Sequence, residues 1–196
     1  MELLLATNND HKVKEFNRIF KQHRLFTPTE LGLEFDYAET GTTFHENALG
    51  KARALYRMTG RPVLADDSGL CVTALDNAPG VFSARYGAIQ PGTRLKAEER
   101  NALLLQQLQA QTNRQAFFVC CMACVVTEHR FFVAQETVEG VIAHEPAGDG
   151  GFGYDPVFLL PEFGLTVAQL EPARKDSISH RGKAARVINT LLAAIQ

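Results

Sequence analysis

Residues 2–6, ELLLA, form a short apolar run behind Glu2 that predicts a buried strand. Residues 7–11, TNNDH, are a polar turn. From 12 to 21 the apolar residues Val13, Phe16, Ile19 and Phe20 recur at helical spacing. Residues 42–58 predict a second amphipathic helix, which Thr42 or Thr43 can cap. A short strand is expected at 62–65, another at 69–76, and a third helix at 91–110 with Leu103, Leu104 and Leu108 as its stripe. Residues 116–127 and 130–141 are β-rich runs that predict an antiparallel hairpin joined at Glu128-His129. A Gly-rich loop follows at 145–156, then a short strand at 157–160. The last helix, 179–195, gathers Ala184, Val187, Ile188, Leu191, Leu192 and Ile195 on one side. Alternating strands and helices with a long hairpin in the middle predict an α/β fold with a mixed sheet.

Between two of these strands lies Ala65-Asp66-Asp67-Ser68-Gly69-Leu70. Two adjacent carboxylates stand where a buried strand is expected to stop. Strand side chains alternate, so Asp66 and Asp67 point to opposite faces. A buried carboxylate needs a metal, a cation or backbone N–H groups as partner. The same residues also compose an ordinary turn.

Composition narrows the function classes. At 196 residues the whole chain, 1–196, is long enough to be read as a single domain around one sizeable core. With 45% hydrophobic and 21% charged residues it has the balance of a soluble globular protein. A net charge of −2 argues against a grip on long nucleic acid, which needs a basic face. The opening apolar run is too short for a signal peptide or a membrane span. Cys71, Cys120, Cys121 and Cys124 lack the spacing of a zinc set and read as buried thiols, which suits a reducing cytoplasm.

Polar residues gather in five loop clusters. Thr7, Asn8, Asn9, Asp10, His11 and Lys12 stand between a strand and a helix, where N–H groups and Lys12 suit an anion; an ordinary N-cap uses the same residues. No Walker A pattern is present. Glu39 stands in the loop before the second helix, with Glu46 and Asn47 one turn inside it. Glu39 with Asp66 or Asp67 would make a partial site for Mg²⁺, which takes one or two carboxylates beside water and phosphate; Glu46 equally suits the helix dipole. Phe152, Gly153, Tyr154 and Asp155 offer close backbone approach, flat aromatic faces and an acceptor for a nucleobase. Lys175, His180 and Arg181 bring donors to the start of the last helix, which Ser179 can cap. Arg85 and Tyr86 follow a Pro-Gly turn, where Arg85 meets either a phosphate or a carboxylate. One nucleoside triphosphate would use all of these features.

The motifs TNNDHK, ETGTTFHENALGKA, LADDSGL, APGVFSARY, PAGDGGFGYDPVF and SISHRGKA occur in this order over nearly the whole chain. The chain resembles the inosine triphosphate pyrophosphatase family. The resemblance implies a mixed α/β fold with an elongated central sheet, flanking helices and two lobes around a deep cleft. It implies a homodimeric, Mg²⁺-dependent hydrolase that converts ITP, dITP and XTP to monophosphate and pyrophosphate. By the same resemblance Asp67 is the general base, Glu39 and Asp67 hold the metal, and Ser68 lies at the substrate. Thr7 to Lys12 line the phosphate site, Phe152 to Asp155 form the base loop, and Lys175, His180 and Arg181 lie at the nucleotide. Asn8 stands where many relatives carry Gly.

The expected chemistry is a water aimed by Asp67 at a phosphorus, with Lys12 and Lys51 balancing the leaving pyrophosphate. A donor from His180 or Arg181 to a 6-oxo group would reject adenine. The rivals are a nucleotide pyrophosphatase of other specificity, acting on modified pyrimidine or standard triphosphates, and a non-catalytic nucleotide sensor. Neither a nucleic-acid polymer nor a membrane is an expected partner.

Overall fold

The computed structural model describes residues 1–88, 90 and 93–195. Among them, seven strands form one sheet in the order β2-β1-β3-β4-β5-β6-β7. The strands are β1 (Glu2–Leu5), β2 (Arg24–Phe26), β3 (Val63–Val72), β4 (Gln115–Thr127), β5 (Arg130–Ile142), β6 (Phe158–Leu160) and β7 (Leu165–Thr166). The helices are α1 (Asp10–Ile19), α2 (Phe44–Thr59), α3 (Ala97–Gln107), α4 (Pro172–Ile178) and α5 (His180–Ala193). β1 pairs in parallel with β2 and β3, whereas β5–β6 and β6–β7 are antiparallel. The sheet is therefore mixed, as expected.

The chain forms two compact units: Met1–Ser68 with Cys120–Glu136 and Asp176 onward, and Gly69–Val119 with Thr137–Lys175. In the first unit the strands are covered on both faces, which explains their near-continuous apolar runs. Leu3, Leu5, Leu64, Cys120, Met122 and Cys124 enter one core with Phe16 and Phe20 of α1 and Ala184 and Ile188 of α5. The alternate residues Leu4, Ala6, Val63, Ala65, Cys121 and Ala123 enter the other with Ala48, Ala52 and Leu55 of α2. Cys120, Cys121 and Cys124 act as small apolar residues here; they and Cys71 of the second unit are buried and free.

The expectation that a strand stops at the aspartates is corrected. β3 runs through Asp66 and Asp67 without a break, and the separately expected strand at 69–76 is its continuation, ending at Val72 before a 3₁₀ turn at Thr73–Leu75. Sheet pairing and burial on both faces override the turn preference of Asp-Asp-Ser-Gly. α3 begins at Ala97, and the Pro91-Gly92 start expected for it lies outside the described residues. β2, β7 and α4 have too few residues to show a period, and the sequence pattern did not disclose them.

Helix starts follow their caps. The Asn9 side chain accepts from the N–H groups of His11 and Lys12, and Thr43 closes a capping box with Glu46 on α2. Ser179 caps α5 through the Gly182 N–H at 3.1 Å. Gly182 is required at that place because a Cβ there would drive into the carbonyl oxygen of Asp176. Gly182→Ala is therefore expected to cost about 1–3 kcal/mol through forced backbone movement. A thermal melt checks this; an unchanged midpoint would show that the α4–α5 junction yields freely.

Candidate active site

β3 places Asp66 on the face covered by α1 and α5, and Asp67 on the face covered by α2. Asp66 is 1% exposed and Asp67 5%. Each takes its direct hydrogen-bond partners from its own surroundings, and the two faces supply different ones.

Asp66 receives cations. Lys12 Nζ at the start of α1 lies 3.0 Å from its Oδ1. Arg181 of α5 donates to Oδ2 through Nε at 3.3 Å and Nη2 at 3.2 Å. Burial alone would raise the Asp66 carboxyl, but Lys12, Arg181 and Lys51 hold it well below the usual carboxylate range. Arg181, 2% exposed, also reaches Glu15 Oε2 of α1 at 2.6 Å and Ser68 Oγ at 2.8 Å. Burial opposes its charge, and Asp66 and Glu15 more than restore it. Asp66 thus stays ionised.

Asp67 receives a weaker environment. Its Oδ2 accepts from Asn47 Nδ2 of α2 at 2.9 Å, and its Oδ1 from the Ser68 N–H at 2.9 Å. Burial and then the Glu39 carboxylate push its carboxyl up to about 6, against the Asn47 hydrogen bond, Lys12 and Lys51. Glu39 is ion-paired with Lys51. Burial would lower the Lys51 amine, but Glu39, Asp66 and Asp67 raise it on balance. A carboxyl poised near neutrality beside a second carboxylate and a lysine is suited to taking a proton or sharing a cation.

Among the described residues, no group of three or more His, Cys, Asp or Glu side chains could hold a metal by itself. Glu39 and Asp67 supply two hard oxygen donors, and their mutual repulsion is what a divalent cation would relieve. That donor set fits Mg²⁺, which completes its shell with water and phosphate oxygens.

The remaining expected residues fall as follows. Thr7 Oγ1 accepts from the Asn9 N–H at 3.2 Å, and Asn8 Nδ2 donates to the Phe35 carbonyl at 2.9 Å, so both brace the loop. Asp10 is the acidic residue in the first turn of α1, and His11 follows it. Lys12, Glu39, Asp67, Ser68 and Arg181 lie with these in the first unit, as does the buried His180.

Phe152, Gly153, Tyr154, Asp155 and Lys175 lie in the second unit. There Asp155 Oδ2 accepts from the Phe152 N–H at 2.8 Å and from Lys175 Nζ at 2.6 Å, and Lys175 Nζ stands 4.9 Å from the Phe152 ring centroid. Tyr154 OH donates to the Ser83 carbonyl at 2.9 Å. Glu46 is spent on the N–H groups of Thr42 and Thr43, the helix-start role. Arg85 stacks its guanidinium 4.9 Å from the Phe82 ring centroid.

Glu15 and Asn101 escaped the sequence reading. Glu15 adjoins Phe16 on the buried side of α1, and its signal was its i+3 spacing from Lys12. Asn101 sits beside the leucine stripe of α3, and nothing local marked it.

Fold and site together define an α/β protein with a buried acid–base centre on a central strand. The Ham1 family model matches residues 3–190. The chain belongs to the Ham1 family. It is 49% identical over 184 residues to a dITP/XTP pyrophosphatase of Treponema denticola, covering 94% of each chain. It is 48% identical to a dITP/XTP pyrophosphatase of Bordetella parapertussis, covering 93% of this chain and 86% of that one. A HAM1 protein structure from Coxiella burnetii matches with a TM-score of 0.88 at 39% identity over 99% of both chains. The Staphylococcus aureus Ham1 protein matches with a TM-score of 0.87 at 38% identity over 100% of both.

Two outcomes are expected from the charge balance. Arg181→Met should cost about 3–5 kcal/mol, because Glu15 and Asp66 lose a buried counter-charge; urea unfolding would read it, and a loss below 1 kcal/mol would show that water replaces the guanidinium. Asp67 behaves in the opposite sense. Its folded carboxyl sits above the ordinary 3.8, at about 6, so its ionisation weakens the fold as pH rises through that range. In chelator, Asp67→Asn should therefore gain about 1 kcal/mol relative to the parent between pH 5 and pH 8. A difference independent of pH would mean that the carboxyl titrates normally.

Proposed function

We propose that this protein hydrolyses the nonstandard purine triphosphates ITP, dITP and XTP to the monophosphate and pyrophosphate. The observation that carries the reading is Asp67, a buried carboxyl raised to about 6 beside Glu39 on a strand held from both faces. The Treponema and Bordetella relatives, named as dITP/XTP pyrophosphatases, support the substrate class.

In this reading a water attacks a phosphorus of the α,β-anhydride. Its proton passes to an Asp67 oxygen, and the bond from that phosphorus to the bridging oxygen breaks, releasing pyrophosphate. Each Asp67 oxygen already accepts one N–H, from Asn47 or Ser68, which fixes its direction and leaves a lone pair for the water. Lys12 and Lys51 balance charge on the phosphates. Glu39 and Asp67 would hold Mg²⁺, which when bound neutralises charge on the phosphate oxygens. Loop residues Phe152 to Asp155 take the purine, with an aromatic face for stacking and Lys175 fixing Asp155. His180 or Arg181, both at the start of α5, would donate to a 6-oxo group. Adenine would set a 6-amino donor against it, leaving a buried donor unpaired at about 1–3 kcal/mol.

The same reading includes a homodimer, supported by the family resemblance, and a reducing cytoplasm, supported by the four free buried thiols. No helix among the described residues is long and apolar enough to cross a membrane.

The test is pyrophosphate release from ITP, XTP, dITP, GTP and ATP with Mg²⁺, across pH 5–8. ITP, XTP and dITP should exceed ATP by roughly 10–100-fold in kcat/KM, the equivalent of one unpaired donor. The rate should rise through the range of the Asp67 carboxyl, and Asp67→Asn should lose about 10²–10⁴-fold. Equal rates on all five would refute the base discrimination. Binding of ITP without turnover would make the protein a sensor.

A further inference from the structure

The loop proposed to take the purine is short of side chains that could stiffen it. Gly151 and Gly153 both adopt left-handed backbone, at φ 70° and 67°, a region that glycine enters freely. Glycine is also the residue with the most freedom to leave that conformation. The loop is therefore ordered by a tie within it and by ties from outside it. Asp155 binds back to the Phe152 N–H and out to Lys175, and Tyr154 OH reaches the Ser83 carbonyl. None of these fixes the peptide between Gly153 and Tyr154, the link between the two aromatic residues.

That peptide is held by α3. Asn101 Nδ2 donates to the Gly153 carbonyl at 3.1 Å. Asn101 is 5% exposed, and its other amide atom, Oδ1, is buried with no hydrogen-bond partner. A buried acceptor without a partner works against folding. The amide is thus poorly explained by the stability of α3. It is well explained by the carbonyl it holds.

We propose that Asn101 is a positioning residue, whose side-chain amide fixes the Gly153 carbonyl and so sets the 151–155 loop in the form that receives the purine. The proposal rests on the reading that this loop takes the base. Asn101 touches the substrate nowhere in this scheme. It acts through the orientation of Phe152 and Tyr154.

Asn101→Leu and Asn101→Ala test it, each followed by thermal melting, amide hydrogen exchange and kinetics on ITP and ATP. The expected result for Asn101→Leu is a small change in unfolding midpoint, about 5 °C or less, because losing the unpaired Oδ1 offsets losing the donor to the Gly153 carbonyl. Exchange at residues 151–154 should accelerate about tenfold or more, with little change elsewhere. KM for ITP should rise about tenfold with kcat within about twofold, and preference for ITP over ATP should fall. Unchanged exchange and unchanged KM in both variants would overturn the proposal. So would faster exchange throughout the protein, a fall in kcat alone, or failure of both variants to fold, since each assigns the amide to general stability or to the chemistry. If the parent hydrolyses none of the nucleotides, the functional reading fails, while exchange at 151–154 still decides whether Asn101 holds the loop.

Discussion

Two carboxylates at consecutive positions of a strand point to opposite faces and cannot share one direct hydrogen-bond partner when both faces are buried. This constraint organises the first unit. Asp66 enters the face covered by α1 and α5, and Asp67 the face covered by α2. A buried carboxylate without compensation is too costly to keep, so each covering helix must bring polar groups into an otherwise apolar face. α1 brings Lys12 and Glu15, α5 brings Arg181, and α2 brings Asn47 and Lys51. The capping of α1 by Asn9 and of α5 by Ser179 then fixes where those groups fall along each helix.

The compensation is deliberately unequal in its physical result. Asp66 sits between a lysine and an arginine, and both of its oxygens are engaged by cations. Asp67 has one amide and one backbone N–H, with another carboxylate nearby. Neighbouring titratable groups whose surroundings push them apart are how a fold assigns different tasks to the same side chain. Asp66 is fixed as a permanent anion that anchors Lys12 and Arg181. Asp67 is left able to change its protonation. The chemistry is placed on the less compensated of the two.

Much of this was legible in the sequence. Period-two alternation forecast that the aspartates part company, and the helical spacing of Val13, Phe16, Ile19 and Phe20 forecast the helix that follows β1. The course of β3 was not legible, because Asp, Ser and Gly favour turns locally, and only pairing with neighbouring strands overrides them. The second helix shows the same limit. Glu46 and Asn47 are adjacent polar residues, and a 100° rotation decides that one caps the helix while the other meets Asp67. Glu15 reads as a surface residue until Arg181, far along the chain, is brought against it. Cys120, Cys121 and Cys124 read as buried thiols in sequence, and they lie in the two cores in space.

The second unit solves a different problem with different means. A loop that must admit a flat ring closely cannot be filled with bulky side chains, so its conformation is set only partly from within, by Asp155 on the Phe152 N–H. The rest of the order has to be imported, and the ties run to Ser83, Lys175 and Asn101, residues distant in sequence. Burying an amide to reach one carbonyl leaves Asn101 Oδ1 unpartnered. In the first unit the raised Asp67 carboxyl is a comparable departure from the most stable arrangement. One departure lies at a group proposed to meet the substrate and the other one contact behind such a group. Stability and function diverge at such places, since a group already satisfied by its own fold has little left to offer a ligand.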